Sequence, residues 1–496
     1  MSIRRCLILV WMVGALQILS MGQDQPSQNS TTQSSRDDGT VRTAPAAALS
    51  AYAGMESEGA SGDLPNIPAM LGGQGTSAAF LSELERSNYL RGGINVSATY
   101  DDNPLLLPNG VASNTSERVV SNTSETIFPS IRIEESSSRM RWTLGYAGGL
   151  TVNQKITSEN QGSHNLNFDS QYRLSPHVNL RVAENFSMTT GFFDAGNGAE
   201  VVAGAGGPNA SLIAPLATQR SNITTVETNY HFALNDLIGA SGSYYDSHFS
   251  NGPTTTPLTD SQTASGSAFW LHRLFGADWG GASYRFDRLT FNLGGGETRV
   301  HSFLAVDTLN ISKRFTLSGF IGPQYSETQG LETLVTGAPQ PTQSSGWSVS
   351  GGAEGGWRNQ RTSVSAGYSR SISDGGGVLG SVRVQTVHAT FRRQLVPGWA
   401  ALLTASHGTN QSIVPFVTSA SSIFVTSASS INVTSADVEL ERNVGKRIGL
   451  RFGYTHDFQE SWVPGPTPTS PAQTLDANRN RFVVTLSYQW AKPLGM

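Results

Sequence analysis

Cysteine is almost absent from this chain, because its 496 residues contain one, Cys6, inside an apolar N-terminal run. Charged residues are also scarce at 14%, against roughly 25% in an average soluble protein. The net charge of -4 and the lack of a basic stripe with interleaved aromatic residues give no case for nucleic-acid binding. Beyond the N-terminal run no stretch of about 20 apolar residues occurs, so the sequence predicts no membrane-spanning helix.

Recognisable catalytic motifs are missing as well. The sequence has no Gly-x-Ser-x-Gly elbow, no His-Glu-x-x-His and no phosphate loop. We therefore predict no enzyme, no catalytic residue, no cofactor and no metal site. Two alternatives stay open, a rim hydrolase using His248 beside Ser247 or His301 beside Ser302, and a calcium site at 101–103. The favoured interpretation of that Asp-Asp-Asn triplet is a polar loop start, because the spacing is not that of an EF-hand.

The N-terminus has the pattern of an export signal. Arg4 and Arg5 precede the apolar run, and small residues stand just before Gln23. We predict a signal peptide over residues 1–22 and favour an ordinary positive region over a twin-arginine signal. Because Cys6 leaves with this signal, the exported protein is expected to lack disulfides and to depend on a large core or a closed sheet.

The next segment is polar and then gives way to strands. Residues 23–90 are predicted to form a disordered, low-complexity periplasmic tail with a short helix at 77–90, from composition and from the apolar spacing. From Gly92 onward the apolar residues recur with period two, as in a two-faced β-strand. In one such strand Met140, Trp142 and Leu144 share a face, while the intervening residues are Arg141 and Thr143.

The number and spacing of these strands predict the fold class. About eighteen strands can be marked, many near the nine to eleven residues that a tilted membrane strand needs. Short turns alternate with longer polar connections along the chain, which is typical of outer-membrane barrels. We predict an all-β protein, a closed antiparallel transmembrane β-barrel of about eighteen strands over 91–490, with a C-terminal extension at 491–496. A soluble β-sandwich is the alternative, because its strands also alternate.

The inward phase of the predicted strands carries charged residues that are our candidates for the lumen. They are Arg132, Arg139, Arg141, Asp169, Arg173, Arg181, Glu227, His231, Arg285, Asp287, Arg299, Asp307, Glu439, Glu441, Arg447, Arg451 and Arg481. One interpretation is a structural lining in which these charges pair across neighbouring strands. The other is a basic wall that favours anions or binds an anionic polymer, because charged rings tune pore selectivity.

The last strand places five apolar residues on one face, namely Phe482, Val484, Leu486, Tyr488 and Trp490. It resembles the C-terminal signal that outer-membrane proteins present to the barrel assembly machinery. The stretch VSATYDDNPLLLP at 96–108 is similar to the opening hairpin of β-barrel porin-like proteins, some of them associated with exopolysaccharide loci. These resemblances imply an outer-membrane location in a Gram-negative-type bacterium, contact with outer-membrane lipid, and polysaccharide as one solute class.

Three features break the regular pattern. Glu184 falls in the outward phase, and the apolar phase shifts within 381–394, so we predict a β-bulge at each place. An octapeptide repeat, VTSASSIF then VTSASSIN, begins at residue 417, and slippage of the coding sequence in a tolerant surface loop is the favoured explanation.

The predicted function is an outer-membrane, porin-like channel that passes polar solutes or exports polysaccharide through an aqueous lumen. The alternatives are a non-conducting structural or surface-interaction barrel and, third, a barrel enzyme.

Overall fold

The computed structural model describes residues 88–104, 121–156, 160–190, 218–250, 258–275, 278–292, 296–312, 314–332, 340–377, 379–413, 430–463 and 473–494. The predicted signal peptide, nearly all of the tail and its helix, and most of the octapeptide repeat lie outside these residues. The described residues contain no helix long and apolar enough to cross a membrane.

The described part of the chain forms antiparallel strands throughout. In order they are β1 (Tyr89–Asp101), β2 (Asn122–Ser136), β3 (Met140–Asn153), β4 (Gln161–Arg173), β5 (Val178–Thr190), β6 (Thr218–Ala233), β7 (Asp236–Ser250), β8 (Ser261–Phe275), β9 (Asp278–Phe291), β10 (Glu297–Ser312), β11 (Phe315–Glu332), β12 (Gln340–Arg358), β13 (Thr362–Gly375), β14 (Leu379–Val396), β15 (Trp399–Ser412), β16 (Ser430–Val444), β17 (Ile448–Val463) and β18 (Gln473–Pro493).

Each strand pairs with its neighbours in sequence, and β1 also pairs with β18, so the 18-stranded sheet closes on itself. The closing register runs from Tyr89 opposite Pro493 to Asp101 opposite Arg481. Closure leaves no unpaired sheet edge, which is what a sheet surrounded by hydrocarbon requires. The prediction of a closed antiparallel barrel with about eighteen strands is therefore confirmed.

The connections differ in length at the two ends of the barrel. Those after the even-numbered strands β2 to β16 are turns of two to four residues, and we call this end the turn end. Most of those after the odd-numbered strands are longer, and we call the other end the loop end. Both β1 and β18 have their outer termini at the turn end, because Tyr89 pairs with Pro493 there. The alternation in the sequence reflects these two ends.

The barrel extends slightly beyond its predicted bounds. Tyr89 and Leu90 fall in the helix predicted at 77–90, whereas the structure places them in β1, opposite both β18 and β2. At the other end β18 continues to Pro493, past the aromatic residue Trp490. These residues are strand because each has a backbone partner across the closing pair.

The outer face of the barrel is apolar and exposed. The residues of the predicted C-terminal signal all point outward, with Phe482 52% exposed and Leu486 52% exposed. Ile127 on β2 and Leu150 on β3 are similarly exposed at 53% and 55%. An apolar face this continuous marks a contact with another apolar phase.

The predicted bulge at Glu184 is absent. The register of β5 with β4 and with β6 runs through this residue without a shift, opposite Phe168 and Thr224. Glu184 therefore points outward among apolar neighbours, and the strand keeps its phase despite the carboxylate. The prediction of a bulge here is wrong.

The predicted bulge within 381–394 is also wrong. From Val382 to Gln394 the strand β14 pairs with β15 without a shift, and its pairing with β13 from Val382 to Arg393 has none either. The register shifts lie at the two ends of this segment, between Leu379 and Val382 and between Gln394 and Val396. Val382 and Val384 face the interior and are buried, whereas Val387 faces outward and is 47% exposed. The apolar residues change face because the loop-end part of β14 packs inside the barrel, so no extra residue is needed.

Candidate functional site in the barrel lumen

The alternation of the strands assigns most candidate residues to the inner face. On each strand the large exposed apolar residues mark the outer phase, and the opposite phase points inward. By this criterion the inward residues are Arg132, Arg141, Asp169, Arg173, Arg181, Glu227, His231, Arg285, Asp287, Glu439, Glu441, Arg451 and Arg481.

The other candidates lie elsewhere. Arg139 and Arg447 are in turns at the turn end, so they do not project from a strand into the lumen. Arg299 and Asp307 share the outer phase of β10 with Phe303, which is 52% exposed. In β10 the apolar residues Val300 and Leu304 face inward and are buried, the reverse of the expected pattern. The sequence prediction that Arg299 and Asp307 face the lumen is therefore wrong.

The inward charges form ion pairs, across adjacent strands for Arg181 and Arg481 and within β9 for Arg285. Arg181 Nε donates to Asp169 Oδ2 at 2.8 Å, and Arg285 lies 2.7 Å from Asp287. Arg481 lies 3.0 Å from Asp457, a carboxylate that the sequence reasoning missed. This arrangement favours the structural lining over a basic wall, because each of these arginines has an acidic partner.

A connected charge network crosses the inner face of β14, β16 and β17. Arg451 lies 3.5 Å from Glu439 and 3.2 Å from Glu441. Arg392 reaches the other oxygen of Glu441 at 2.9 Å. Two arginines thus balance two carboxylates, so this part of the wall is nearly neutral. Arg392 follows the same inward phase as its neighbours, and that signal could have identified it from the sequence.

A buried ion pair closes the seam between β1 and β18. Arg479 Nε donates to Asp101 Oδ2 at 2.7 Å, and Arg479 Nη2 contacts the same oxygen. Asp102 accepts hydrogen bonds from the backbone N and side-chain Nδ2 of Asn480, at 2.7 and 2.6 Å. These bonds join residues 378 positions apart in the chain. The acidic residues at 101–102 therefore hold the barrel closed, in line with a structural role rather than calcium binding.

The described residues contain no group of three or more His, Cys, Asp and Glu side chains that could hold a metal. The Ser-His neighbours of the rim-hydrolase alternative point to opposite faces. Ser302 is buried and accepts from Gln324, whereas His301 on the outer face contacts the Tyr284 hydroxyl at 2.9 Å. Ser247 is likewise buried, while His248 contacts Asp260 at 2.6 Å. Neither pair has the geometry of a nucleophile and its base.

Part of the inner face is apolar. Leu237, Phe269 and Leu271 pack with residues of β9 and β10 toward the turn end of β7 to β10, and each is at most 3% exposed. A second cluster nearer the loop end consists of Leu289, Phe291, Val300 and Ile372. A lumen bounded only by water-exposed polar groups would not bury such residues, so the interior is partly filled.

The second cluster contains a residue from a strand that is not adjacent to β9 or β10. Ile372 is on β13, whereas its partners are on β9 and β10. The pairing of β12 with β13 stops at Arg370, so the loop-end part of β13 leaves the wall. We call the described residues 372–377 and 379–382, at the loop end of β13 and β14, the inward hairpin.

Polar contacts hold the inward hairpin against β8 and β10. Ser261 Oγ donates to Asp374 Oδ2 at 2.9 Å, and the hydroxyls of Thr298 and Ser381 contact each other. The backbone N of Thr259 donates to the carbonyl of Gly377 at 2.8 Å. The hairpin therefore spans part of the lumen cross-section between strands that are not neighbours.

The tip of the inward hairpin requires glycine. Gly376 and Gly377 have φ of 59° and 82°, a backbone conformation that side chains disfavour. A Cβ on Gly377 would lie 2.6 Å from the Phe249 ring. Two glycines at the tip thus allow the hairpin to turn tightly against β7.

Comparisons with known proteins find only loose likenesses among solved structures. No family model matches the chain, and no curated protein matches it. The siderophore receptor PiuA from Acinetobacter baumannii matches with a TM-score of 0.40 and 9% identity, over 82% of this chain and 82% of that one. OpdQ from Pseudomonas aeruginosa matches with a TM-score of 0.39 and 11% identity, over 82% and 98%.

The outer membrane protein OpdK from Pseudomonas aeruginosa has a TM-score of 0.37 and 10% identity, over 81% of this chain and 99% of that one. The resemblance to bacterial outer-membrane β-barrels that the sequence indicated is thus confirmed as a resemblance. The likeness is loose, so the functional argument rests on the residues of this barrel. The exopolysaccharide association stays a prediction.

Proposed function

We propose that the chain is an outer-membrane β-barrel that passes small polar solutes through a lumen narrowed by the inward hairpin. The observation that carries the proposal is the closed 18-stranded sheet with an apolar exposed outside and a polar, ion-paired inside. Barrels of about 16–18 strands leave an aqueous channel when nothing fills them. The outer face fits hydrocarbon, since every strand has both neighbours.

The test of the proposal is conductance in planar lipid bilayers. Purified protein should produce discrete steps of conductance after insertion, and the reversal potential in a salt gradient reports its ion preference. A barrel that inserts, as shown by heat-modifiable mobility on gels, and never conducts would contradict the channel. That result would instead support the non-conducting surface-interaction barrel, which the apolar clusters and the hairpin in the lumen favour.

Polysaccharide is the second solute class within this proposal. Its support is the short resemblance at 96–108, and the inward hairpin would have to move before a polymer chain could pass. Addition of a bacterial polysaccharide to one side of a conducting bilayer should then produce transient blocks. Steady conductance at saturating polysaccharide would restrict the channel to small solutes.

Changing one arginine of the lumen network should alter ion selectivity. In Arg451→Gln, Glu439 and Glu441 keep their charges but lose the guanidinium 3.5 and 3.2 Å away. We expect a several-fold shift of the permeability ratio toward cations, because uncompensated carboxylates in a pore attract them. Reversal potentials in a potassium chloride gradient measure the shift. The turn variant Arg139→Gln is the control, and equal reversal potentials in the two variants would contradict a lumenal role for Arg451.

We propose that β18 is recognised by the barrel assembly machinery and that the N-terminal tail lies in the periplasm. The tail precedes Tyr89, which is at the turn end, and the outer face of β18 is aromatic at Phe482 and Trp490. Phe482→Ser/Trp490→Ser should lower the folded fraction in outer membranes several-fold, measured by heat-modifiable mobility. Val483→Ser on the inner face is the matched control. An equal decrease in the folded fraction for both variants would mean that the substitutions act on the stability of the barrel and not on its recognition.

A further inference from the structure

The turn end of β10 to β17 carries a one-sided charge. Its residues Arg314, Arg361, Lys446 and Arg447 are in turns, and Arg358, Arg393 and Arg442 are at strand ends; all are exposed. We call these residues the basic rim. The excess is local, because the whole chain has a net charge of -4.

The basic rim has no acidic counterpart beside it. The described residues of 312–315, 357–362, 393–399 and 442–448 include no Asp or Glu. Glu441 adjoins the rim in sequence, but it faces the lumen and is held by Arg392 and Arg451. Within the part of the chain that the structure describes, no rim residue forms an ion pair with a carboxylate.

The rest of the turn end is mixed in charge. Glu134 and Glu135 stand before the first turn, Asp236 begins β7, and Asp278 begins β9. Arg91 and Arg132 both lie close to Glu134, at 3.4 and 2.8 Å. Arg139, Arg173, Arg273 and Lys492 are on this same side, so acidic and basic residues are interspersed there, whereas the basic rim has basic residues alone.

The basic rim borders exposed aromatic and apolar side chains on the outer face. The Arg442 guanidinium lies 5.1 Å from the centre of the Trp399 ring, and Trp357 adjoins Arg358. Val396 and Val444 are 53% and 48% exposed beside the same turns. Aromatic and basic residues next to an apolar band are typical of the level where acyl chains end and headgroups begin.

Backbone hydrogen bonds hold the turns of the basic rim in fixed positions. The backbone N of Arg358 donates to the carbonyl of Arg314, and that of Gln394 to the carbonyl of Arg361, each at 2.8 Å. The backbone N of Asn443 donates to the carbonyl of Gly398 at 2.7 Å. The backbone positions from which the positive side chains project are consequently fixed at the barrel edge.

From this we infer that the basic rim is a binding surface for the anionic headgroups of the leaflet at the turn end, so that phosphatidylglycerol-type lipids gather on one side of the barrel. The inference rests on the membrane location proposed above and adds a lipid partner to it. Lys and Arg near a membrane surface attract anionic lipid, and the attraction falls off within a Debye length.

The experiment compares two lipids that differ in charge. The protein is folded into phosphatidylcholine vesicles that contain brominated phosphatidylglycerol or brominated phosphatidylcholine, and quenching of tryptophan fluorescence gives the relative association constant of the two. At low ionic strength we expect a preference for phosphatidylglycerol of about threefold or more in the unchanged protein. The preference should approach one in the variant Arg361→Gln/Lys446→Gln/Arg447→Gln and at high salt.

Two controls make the outcome decisive. Arg139→Gln/Lys492→Gln removes the same kind of charge from the mixed side of the turn end and should keep the preference. No preference in the unchanged protein, or the same loss in both variants, would overturn the inference. Binding of polyphosphate by the barrel in neutral detergent, dependent on the rim residues and without any lipid preference, would assign the surface to a soluble polyanion and also overturn it. A chain that never inserts fails at the earlier step, which heat-modifiable mobility detects separately.

Discussion

Loosening the inward hairpin should raise single-channel conductance several-fold. The variant Ile372→Ser/Asp374→Ala/Ser381→Ala removes the apolar contact with Leu289 and the polar contacts with Ser261 and Thr298. Burying an isoleucine side chain is worth about 1.5–3 kcal/mol, and a hydrogen bond to a charged group about 1.5–3 kcal/mol. A change of about 1.4 kcal/mol alters an equilibrium constant tenfold. Loss of these contacts should therefore shift the hairpin away from its position against β8 to β10.

The matched variant closes the same contact covalently. Thr298→Cys/Ser381→Cys replaces two touching hydroxyls with thiols, and the exported chain is expected to contain no other cysteine. Combined with Ile372→Ser/Asp374→Ala and oxidised, this cysteine pair should restore the low conductance of the unchanged protein, and a reductant should raise the conductance to that of the loosened variant. If the loosened variant conducts like the unchanged protein while both fold, the hairpin is not the constriction.

Breaking the buried pair at the barrel seam should cause the largest loss of stability. Arg479 and Asp101 are 7% and 8% exposed in their side chains, and each is the other's counter-charge. Removing one member of a buried pair typically costs about 3–5 kcal/mol, because the remaining charge is left buried without a counter-charge. Arg479→Met should lower the free energy of unfolding in urea by that amount, measured in detergent or lipid.

A double variant without either charge distinguishes the cost of an unpaired buried charge from the contribution of the ion pair to the closing register. The double variant Asp101→Asn/Arg479→Met should recover much of the loss, because replacing a buried pair as a whole is often nearly neutral. Glu297 on the outer face gives the comparison. It lies 2.7 Å from Arg288 and 2.6 Å from Arg299, whose side chains are exposed, so Glu297→Gln should cost at most about 1 kcal/mol. A loss at the seam no larger than that would mean that the pair does not stabilise the closing register.

Local sequence patterns predicted the fold because they repeat at every strand. Period two identifies a two-faced strand without any neighbour, and the alternating lengths of the connections identify an antiparallel barrel. The same patterns do not state which face is inside. In β10 the buried Val300 and Leu304 have the inner phase, and this reversed the expected positions of Arg299 and Asp307.

The candidate site was less predictable because its decisive contacts join distant residues. Asp101 and Arg479 are 378 positions apart, and nothing near either one in sequence identifies the other. Ser261 and Asp374 are 113 positions apart. The inward hairpin packs inside the barrel through contacts with β8 to β10, which are distant from it in sequence. Strand phase alone could have added Arg392 and Asp457, whose neighbours two positions away are also inward.

The pairing of the first strand with the last has a consequence for how the protein matures. Until β18 has emerged, β1 has no second partner and the backbone groups along its free edge remain unsatisfied. The barrel therefore cannot close from its N-terminus alone, because closure needs the last strand. A chain that stops before the final strand leaves β1 and β17 each with an unpaired edge, so it cannot form this closed barrel.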